Sequence, residues 1–126
     1  CFQMTCQELI TATTENIPIK IVVFNNGNHG MVRQWQKIFY NSKFSASELG
    51  HVVPDYVKLA ESMGAVGLRM IKKSEVKNVF SEMLKINDRP VLIDCVVDPE
   101  DMVFPMVPAG GSNDQIILNE EDLKNL

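Results

Sequence analysis

The residues with the clearest chemical potential lie in one short turn, residues 25–28, and in the stretch that follows it. An apolar run, residues 21–24, ends directly before this turn, and a helical pattern begins at Gly30. In open α/β sheets, phosphorylated ligands bind where the carboxyl end of a strand meets a helix N-terminus. Amide and carbonyl oxygens, such as those of Asn26 and Asn28, are hard ligands suited to a divalent cation that bridges phosphates. The stretch therefore predicts a site for a phosphorylated ligand and a cation.

The elements that must position this turn alternate between strand and helix patterns. Nearly continuous apolar runs predict three buried strands, at residues 19–24, 65–71 and 90–97. Amphipathic spacing predicts helices at residues 2–15, 30–40 and 54–63, and from Ser74 onward. A weaker acidic helix is predicted over residues 119–126.

Local end signals refine some of these boundaries. Thr5 followed by Glu8 matches a capping box, which would start the first helix at Thr5; the pattern leaves this start and the earlier one both open. Ser74 is the expected N-cap of its helix. Pro54 in the first turn and Gly64 at the C-terminal end bracket the helix between them.

Strands joined through helices are typical of a parallel α/β sheet with helices on both faces. Three strands make a thin sheet, so the pattern indicates a partial doubly wound fold whose earlier strands lie outside these residues. We expect one domain over residues 1–126, with an α/β core over 1–98 and a proline- and glycine-bearing tail over 99–126.

Composition narrows the classes of function. The 126 residues carry a formal net charge of −4 and have a pI near 5.1, which argues against nucleic acid or an anionic membrane as a partner. No apolar run approaches the roughly 20 residues that cross a bilayer. The cysteines, Cys1, Cys6 and Cys95, form no CxxC pair, so we expect reduced, buried thiols in a cytoplasmic protein.

Two motifs together resemble those of acetohydroxyacid synthase, also called acetolactate synthase. The first is Gly-Met-Val-Arg-Gln-Trp-Gln at residues 30–36, after the pair Asn25-Asn26, and the second is Phe-Pro-Met-Val-Pro at residues 104–108. The resemblance runs over nearly the whole chain and points to the C-terminal part of the thiamine-diphosphate-binding domain in the large catalytic subunit. The Asn-Asn pair resembles the second half of the family's cofactor motif. Its first half, Gly-Asp-Gly, would lie just before Cys1, which implies an N-terminally truncated domain.

The resemblance implies thiamine diphosphate and Mg²⁺ as cofactors. It places the metal on the side-chain oxygen of Asn26 and the backbone carbonyl of Asn28, beside an aspartate outside these residues. Gly27 and Gly30 would let the backbone approach the diphosphate without a Cβ in the way. FAD, which the family also binds, would lie outside this stretch.

Met31 and Trp35 are four residues apart and therefore share one helix face. By the resemblance, Met31 contacts the cofactor, and both residues line the pocket for the second 2-oxoacid. A large, close-fitting wall suits the separation of an ethyl from a methyl group, since one methylene is worth only about 1–3 kcal/mol.

The implied reaction condenses two pyruvates, or pyruvate and 2-oxobutyrate, with loss of carbon dioxide. The product is acetolactate or acetohydroxybutyrate, in branched-chain amino acid biosynthesis. The resemblance also implies a homodimer or tetramer and a small regulatory subunit. No catalytic residue is expected in this stretch, so the chain alone should be inactive. Two other interpretations stay open: another thiamine-diphosphate enzyme, of the pyruvate oxidase or glyoxylate carboligase type, and a non-catalytic α/β association module.

Three further residues are predicted to have no chemical role. His29 is expected to be an exposed turn residue, His51 a solvated one, and Arg33 to lie on the solvent-facing surface of its helix. Residues 110–111 either make a plain turn or, by the resemblance, belong to a tail that folds back near the active-site entrance.

Overall fold

The computed structural model describes residues 1–50 and 53–125. His51 and the last residue of the predicted acidic helix, Leu126, lie outside the described residues. The main elements follow in the order α1 (Glu8–Thr14), β1 (Lys20–Asn25), α2 (Gly30–Phe39), α3 (Tyr56–Ser62), β2 (Val66–Met70), α4 (Val76–Lys85) and β3 (Val91–Val96).

The chain divides into two compact units. The first, here called the sheet unit, holds the described residues within 1–26 and 52–98, and the second, the tail unit, those within 27–51 and 99–126. The segment after the Asn-Asn pair thus groups with the tail. The expected division into a core over 1–98 and a tail over 99–126 stays a prediction.

The three predicted strands form a single parallel sheet in the sheet unit. The strand order is β1-β3-β2, and β3 pairs in parallel with both neighbours. Ile93 on β3 lies level with Val22 on one side and Leu68 on the other. The prediction of a partial parallel α/β fold is therefore confirmed.

Two apolar clusters cover the two faces of this sheet. On one face, Leu92 of β3 packs with Leu9 of α1 and Ala60 of α3. On the other, Ile93 packs with Met83 of α4. Because successive residues of a strand point to opposite faces, a central strand buried on both sides is expected to be mostly apolar. Helices on both faces, as predicted, supply this cover.

The first helix begins later than either predicted start. A 3-10 turn occupies Phe2–Met4, and α1 runs only over Glu8–Thr14, with Gln7 at its N-cap and no side-chain cap. The amide of Thr5 donates to the carbonyl of Phe2 at 3.1 Å, and that of Glu8 to the carbonyl of Thr5 at 3.0 Å. The capping box at Thr5 was wrong, because these turn hydrogen bonds replace it.

The predicted N-cap at Ser74 was also wrong. Ser74 lies inside a 3-10 turn, Lys73–Glu75, that leads into α4. The carboxylate of Glu75 instead accepts from the backbone amides of Ile71 and Lys72, at 2.8 and 2.9 Å. These two hydrogen bonds satisfy backbone amides before the helix, which is the task that an N-cap side chain would otherwise perform.

Helix α3 lies close against β2. It ends just before Gly64, as predicted, and Gly64 has a φ of +77°. A Cβ at Gly67 would lie 2.6 Å from the carbonyl oxygen of Val57, so only glycine permits this approach of helix backbone to strand.

The tail unit is held together by short-range backbone pairing. Met106 and Ile117 form an antiparallel bridge with hydrogen bonds of 2.9 and 2.8 Å, and Ile117 is buried. The turn at residues 110–111 is confirmed, with a φ of +78° at Gly110 and a bond of 2.9 Å from the Gly111 amide to the Pro108 carbonyl.

The predicted acidic helix at the end of the chain forms only a 3-10 turn, Asp122–Asn125. The side chain of Asp122 accepts from the amide of Leu118, and that of Asn119 from the amide of Glu121, each at 2.8 Å. Such local side-chain bonds compete with helix hydrogen bonding and explain the shorter element.

Within the described part of the chain, no helix is long and apolar enough to span a bilayer. The cysteines carry free thiols, as predicted, but Cys1 is exposed and Cys6 and Cys95 are partly exposed. The expectation of full burial was wrong, because Cys1 and Cys6 precede α1 and Cys95 lies near the end of β3.

Candidate functional site

The Asn-Asn turn, residues 25–28, begins at Asn25, which is the last residue of β1. Its shape depends on the backbone conformation of Gly27. Gly27 has a φ of +68°, and a Cβ there would meet nothing within 4 Å. Glycine is favoured here by the left-handed backbone, while the space beside its Cα is open. Asn26 and Asn28 are both partly buried, and His29 is exposed as predicted.

A backbone bridge to a neighbouring loop holds the second half of the turn. Asn28 lies opposite Glu48 in an antiparallel bridge. The Leu49 amide donates to the Gly27 carbonyl at 3.0 Å, and the His29 amide donates to the Ser47 carbonyl at 2.8 Å. The position of Asn28 in the tail unit is therefore fixed on both sides.

The turn delivers the chain directly into α2. This helix begins at Gly30, and His29 at its N-cap makes no side-chain cap. Among the described residues, no group of three or more His, Cys, Asp or Glu side chains could hold a metal ion. The donors that the turn offers are instead amide and carbonyl oxygens, which are ligands for a hard cation.

One face of α2 borders an apolar groove of about 560 Å³. The structure brings the two predicted pocket residues together there, since both Met31 and Trp35 line it. The indole of Trp35 packs on the ring of Phe39, with centroids 4.9 Å apart. The remaining lining residues are Val32, Gln36, Tyr40, Lys43 and Ser45.

The loop after α2, which contributes Lys43 and Ser45 to the groove, is attached to the helix by Gln36. The Gln36 amide donates to the carbonyl of Ser45 at 2.9 Å and accepts from the Ser45 amide at 3.2 Å. It also accepts from the hydroxyl of Ser47, which is fully buried, at 2.6 Å. Gln36 thus sets the distance between the loop after α2 and the helix.

A second glutamine joins the tail to the same helix. Gln34 is buried, and its amide exchanges two hydrogen bonds with the backbone of Val103, of 3.0 and 2.8 Å. This imitates the pairing of two strands. Neither Gln34 nor Gln36 was predicted to have a role of its own, because a glutamine on a helix is ordinarily solvated.

Arg33 is not the solvent-facing residue that was predicted. Its side chain is only 11% exposed and forms ion pairs with Glu48, at 2.6 Å, and with Glu100. Its guanidinium carbon also lies 3.9 Å from the centre of the Phe44 ring. Lys37 reaches the same Glu100 at 3.0 Å. Burial follows because two segments, the loop after α2 and the tail, converge on this side of the helix.

These contacts shift the protonation of the cluster. The hydrogen bond to Glu100 raises the pKa of Arg33. In turn, the hydrogen bonds from Arg33 and then Lys37 lower the pKa of Glu100. The tail is therefore tied to α2 by a carboxylate that keeps its charge into mildly acidic conditions.

The sheet unit contains a charged residue that the sequence analysis did not select. Asp94, on β3, is buried, and its carboxylate accepts from Asn25 and Arg69, each at 3.0 Å. The available signal was a single carboxylate inside an otherwise apolar strand, residues 91–96.

Comparison with known proteins defines the class. The profile described as "Thiamine pyrophosphate enzyme, C-terminal TPP binding domain" matches residues 1–95. The chain therefore belongs to the thiamine pyrophosphate enzymes and carries their C-terminal cofactor-binding domain, thiamine pyrophosphate being thiamine diphosphate.

Similar curated proteins include acetolactate synthases of several organisms. The chain is 53% identical to an acetolactate synthase of Mycobacterium avium over 119 residues, which are 92% of this chain and 19% of that protein. It is 50% identical to the acetolactate synthase large subunit of Corynebacterium glutamicum, with the same coverage. The chain spans about a fifth of the length of these relatives.

A solved structure is also similar. It is the thiamine diphosphate-dependent 4-hydroxybenzoylformate decarboxylase of Rhodococcus jostii RHA1, with a TM-score of 0.68 and 26% identity. The match covers 77% of this chain and 18% of that one.

The structure predicts that Gln36 holds the loop after α2. Gln36→Ala removes the bonds to Ser45 and leaves the buried Ser47 hydroxyl without this acceptor, so the free energy of unfolding should fall by about 1–3 kcal/mol. Denaturant unfolding followed by the fluorescence of Trp35 measures the change. Gln3→Ala, at an exposed position, is the control. An unchanged midpoint for Gln36→Ala would show that the loop is held by other contacts.

Acid should loosen the attachment of the tail to α2. The folded-state pKa of Glu100 is below its ordinary value of 4.5. Its contribution to stability is therefore complete above pH 4.5 and is lost as the pH falls through the lower, folded-state value. An acid titration followed by the fluorescence of Trp35 should show this step, and Glu100→Gln should abolish it. Glu82→Gln, on an exposed site of α4, should retain it.

Proposed function

We propose that the chain supplies the C-terminal part of the cofactor domain of an acetolactate synthase. The observation that carries this proposal is the groove on α2, where Met31 and Trp35 lie together directly after the Asn-Asn turn. Identity of 53% to a protein named acetolactate synthase, along 92% of the chain, supports it. The full enzyme would condense two pyruvates, or pyruvate and 2-oxobutyrate, with loss of carbon dioxide.

The residues of the turn fit thiamine diphosphate and Mg²⁺. The side-chain oxygen of Asn26 and the carbonyl of Asn28 would hold the metal, which prefers oxygen and keeps ligands from phosphates and water. The open space at Gly27 and the start of α2 at Gly30 suit a diphosphate, since helix N-termini attract anions. The cofactor, when bound, supplies the carbanion chemistry.

The chain's own residues would bind, orient and select. Met31, 53% exposed at the start of the groove, would contact the cofactor and, with Trp35, form the wall against the second 2-oxoacid. Gln36 would hold the loop after α2 in place through Ser45 and Ser47.

Other parts of the site would come from beyond these residues. No Gly-Asp-Gly occurs in the 126 residues, so the aspartate ligand of the metal, and the FAD site, would belong to the rest of the enzyme. We accordingly propose that the chain alone is inactive. We also propose that the enzyme is a homodimer or tetramer with a small regulatory subunit and works in the cytoplasm.

The metal assignment is tested in the full-length enzyme that contains these residues. Asn26→Ala should raise the dissociation constant for Mg²⁺, in the presence of thiamine diphosphate, at least about tenfold, because a ligand is lost. Calorimetric titration measures it, together with acetolactate formation from pyruvate. Asn78→Ala, at an exposed position of α4, is the control. Unchanged Mg²⁺ affinity in Asn26→Ala, or no acetolactate from the unsubstituted enzyme, would contradict the proposal.

The pocket assignment has its own test. Trp35→Leu should reduce the preference for 2-oxobutyrate over pyruvate by about tenfold or more, since a close wall is what separates the two by one methylene. Competition between the two 2-oxoacids, with both products quantified, measures the ratio. Phe80→Leu, which changes an aromatic residue of the sheet unit's core, should leave the ratio unchanged. An unaltered ratio in Trp35→Leu would favour another thiamine-diphosphate enzyme or another wall.

A further inference from the structure

Asp94 occupies a position where burying a charge is energetically unfavourable. Its side chain is 2% exposed, and it follows three fully buried apolar residues of β3. Removing a carboxylate from water costs several kcal/mol, which a single ion pair often fails to recover. A well-packed apolar residue would serve the sheet at least as well. The stability of the fold therefore gives no reason for a carboxylate at this point.

The partners of Asp94 lie on both neighbouring strands. One carboxylate oxygen, Oδ1, accepts from Nδ2 of Asn25 at the end of β1, and the other, Oδ2, accepts from Nε of Arg69 on β2, each at 3.0 Å. A terminal nitrogen of Arg69 donates to Asp55 at 2.7 Å. Asp55 is the N-cap of α3 and accepts from the amide of Lys58. The network joins all three strands to one helix.

The charges of this network support each other. The hydrogen bond to Asp94 raises the pKa of Arg69. Burial opposes ionisation of Asp55, but the hydrogen bonds from the Lys58 amide and from Arg69 lower its pKa. Arg69 is thereby held as a cation between the carboxylates of Asp94 and Asp55. Because Arg69 bonds Oδ2 of Asp94, Oδ1 is the oxygen that bonds Asn25.

Asn25 is consequently held at two points. A carboxylate only accepts hydrogen bonds, so the amide nitrogen of Asn25 faces Asp94 and its amide oxygen faces away. The backbone carbonyl of Asn25 accepts from the amide of Val97 at 3.0 Å. The side chain of Asn25 is thus bonded to Asp94 of β3, and its backbone to Val97, which follows β3. The backbone position from which Asn26 continues is therefore fixed.

We propose that Asp94 is a positioning residue for the cofactor turn: it orients Asn25 through Oδ1, and thereby places the metal-binding side chain of Asn26. This inference rests on the proposed function, in which Asn26 is a ligand of Mg²⁺. Arg69 acts with it, by holding the second carboxylate oxygen. Outer groups that orient a metal ligand typically change metal affinity by about 10- to 100-fold when they are replaced.

The test exchanges the two partners in the full-length enzyme. In Asp94→Asn, the new amide oxygen can accept from Arg69, but its NH₂ group then faces the NH₂ group of Asn25, so the bond re-forms only if the Asn25 amide turns over and loses its present orientation. In Asn25→Asp, two carboxylates face each other. The double variant Asn25→Asp, Asp94→Asn restores one donor and one acceptor and leaves the net charge of the network unchanged.

The readouts are the dissociation constant for Mg²⁺ with thiamine diphosphate present and the Tm of the protein without either. Each single variant should weaken Mg²⁺ binding about 10- to 100-fold, and the double variant should recover most of that loss. Asp55→Asn is the matched control: it weakens the far end of the network, keeps a good N-cap, and should lower Tm with little effect on Mg²⁺ affinity.

Two results would overturn the inference. One is a lower Tm in Asp94→Asn with unchanged Mg²⁺ affinity, which would make the residue merely structural. The other is a double variant that regains Tm but not affinity. Should Asp94→Asn fail to fold, the double variant alone decides between these outcomes. Asn26→Ala, measured in parallel, separates the inference from its premise: if Asn26→Ala weakens binding and Asp94→Asn does not, only the inference fails.

Discussion

The burial of β3 on both faces is the constraint on which the sheet unit depends. Val91, Leu92 and Ile93 have no exposed surface, and each neighbouring strand pairs with β3 in parallel. Parallel strands of this kind need helices above and below, which α1, α3 and α4 supply. A polar group on such a strand needs hydrogen-bond partners to offset its burial. Asp94 has one for each carboxylate oxygen, because both neighbouring strands present a donor to it.

Helix α2 is the corresponding centre of the tail unit. Its residues contact different partners on different sides: Met31 and Trp35 border the groove, Gln36 holds the loop, and Gln34 and Arg33 hold the tail. This helix of ten residues therefore has partners on several of its sides. Side-chain bonds to this helix therefore add to the backbone bridges that order the tail and the loop.

Much of the architecture could be predicted from local pattern. The three strands and α2 were predictable because apolar runs and amphipathic spacing record burial directly. The turn after β1 was predictable from the polar residues that follow an apolar run, and the shared position of Met31 and Trp35 on one side of α2 from their spacing. Helix starts were not, since at Thr5 and Ser74 backbone turns competed with the caps that the sequence offered.

Four residues whose roles were not predicted share one physical cause. The roles of Arg33, Gln34, Gln36 and Asp94 depend on partners between 9 and 69 residues away along the chain. A single polar residue in a sequence gives no information about a distant partner, and such residues are ordinarily exposed to solvent. Only the tertiary contacts show that these side chains are buried and paired.

The alternation of exposed and buried residues along α2 determines which substitutions the helix can accept. Met31 and Val32 are each more than half exposed, so replacing them removes little buried surface, whereas Gln34 is buried and bound at both ends of its amide. Residues that line the groove and residues that hold the loop and tail thus alternate along one helix. Point mutations can therefore reshape the groove while the attachment of the loop and tail stays intact.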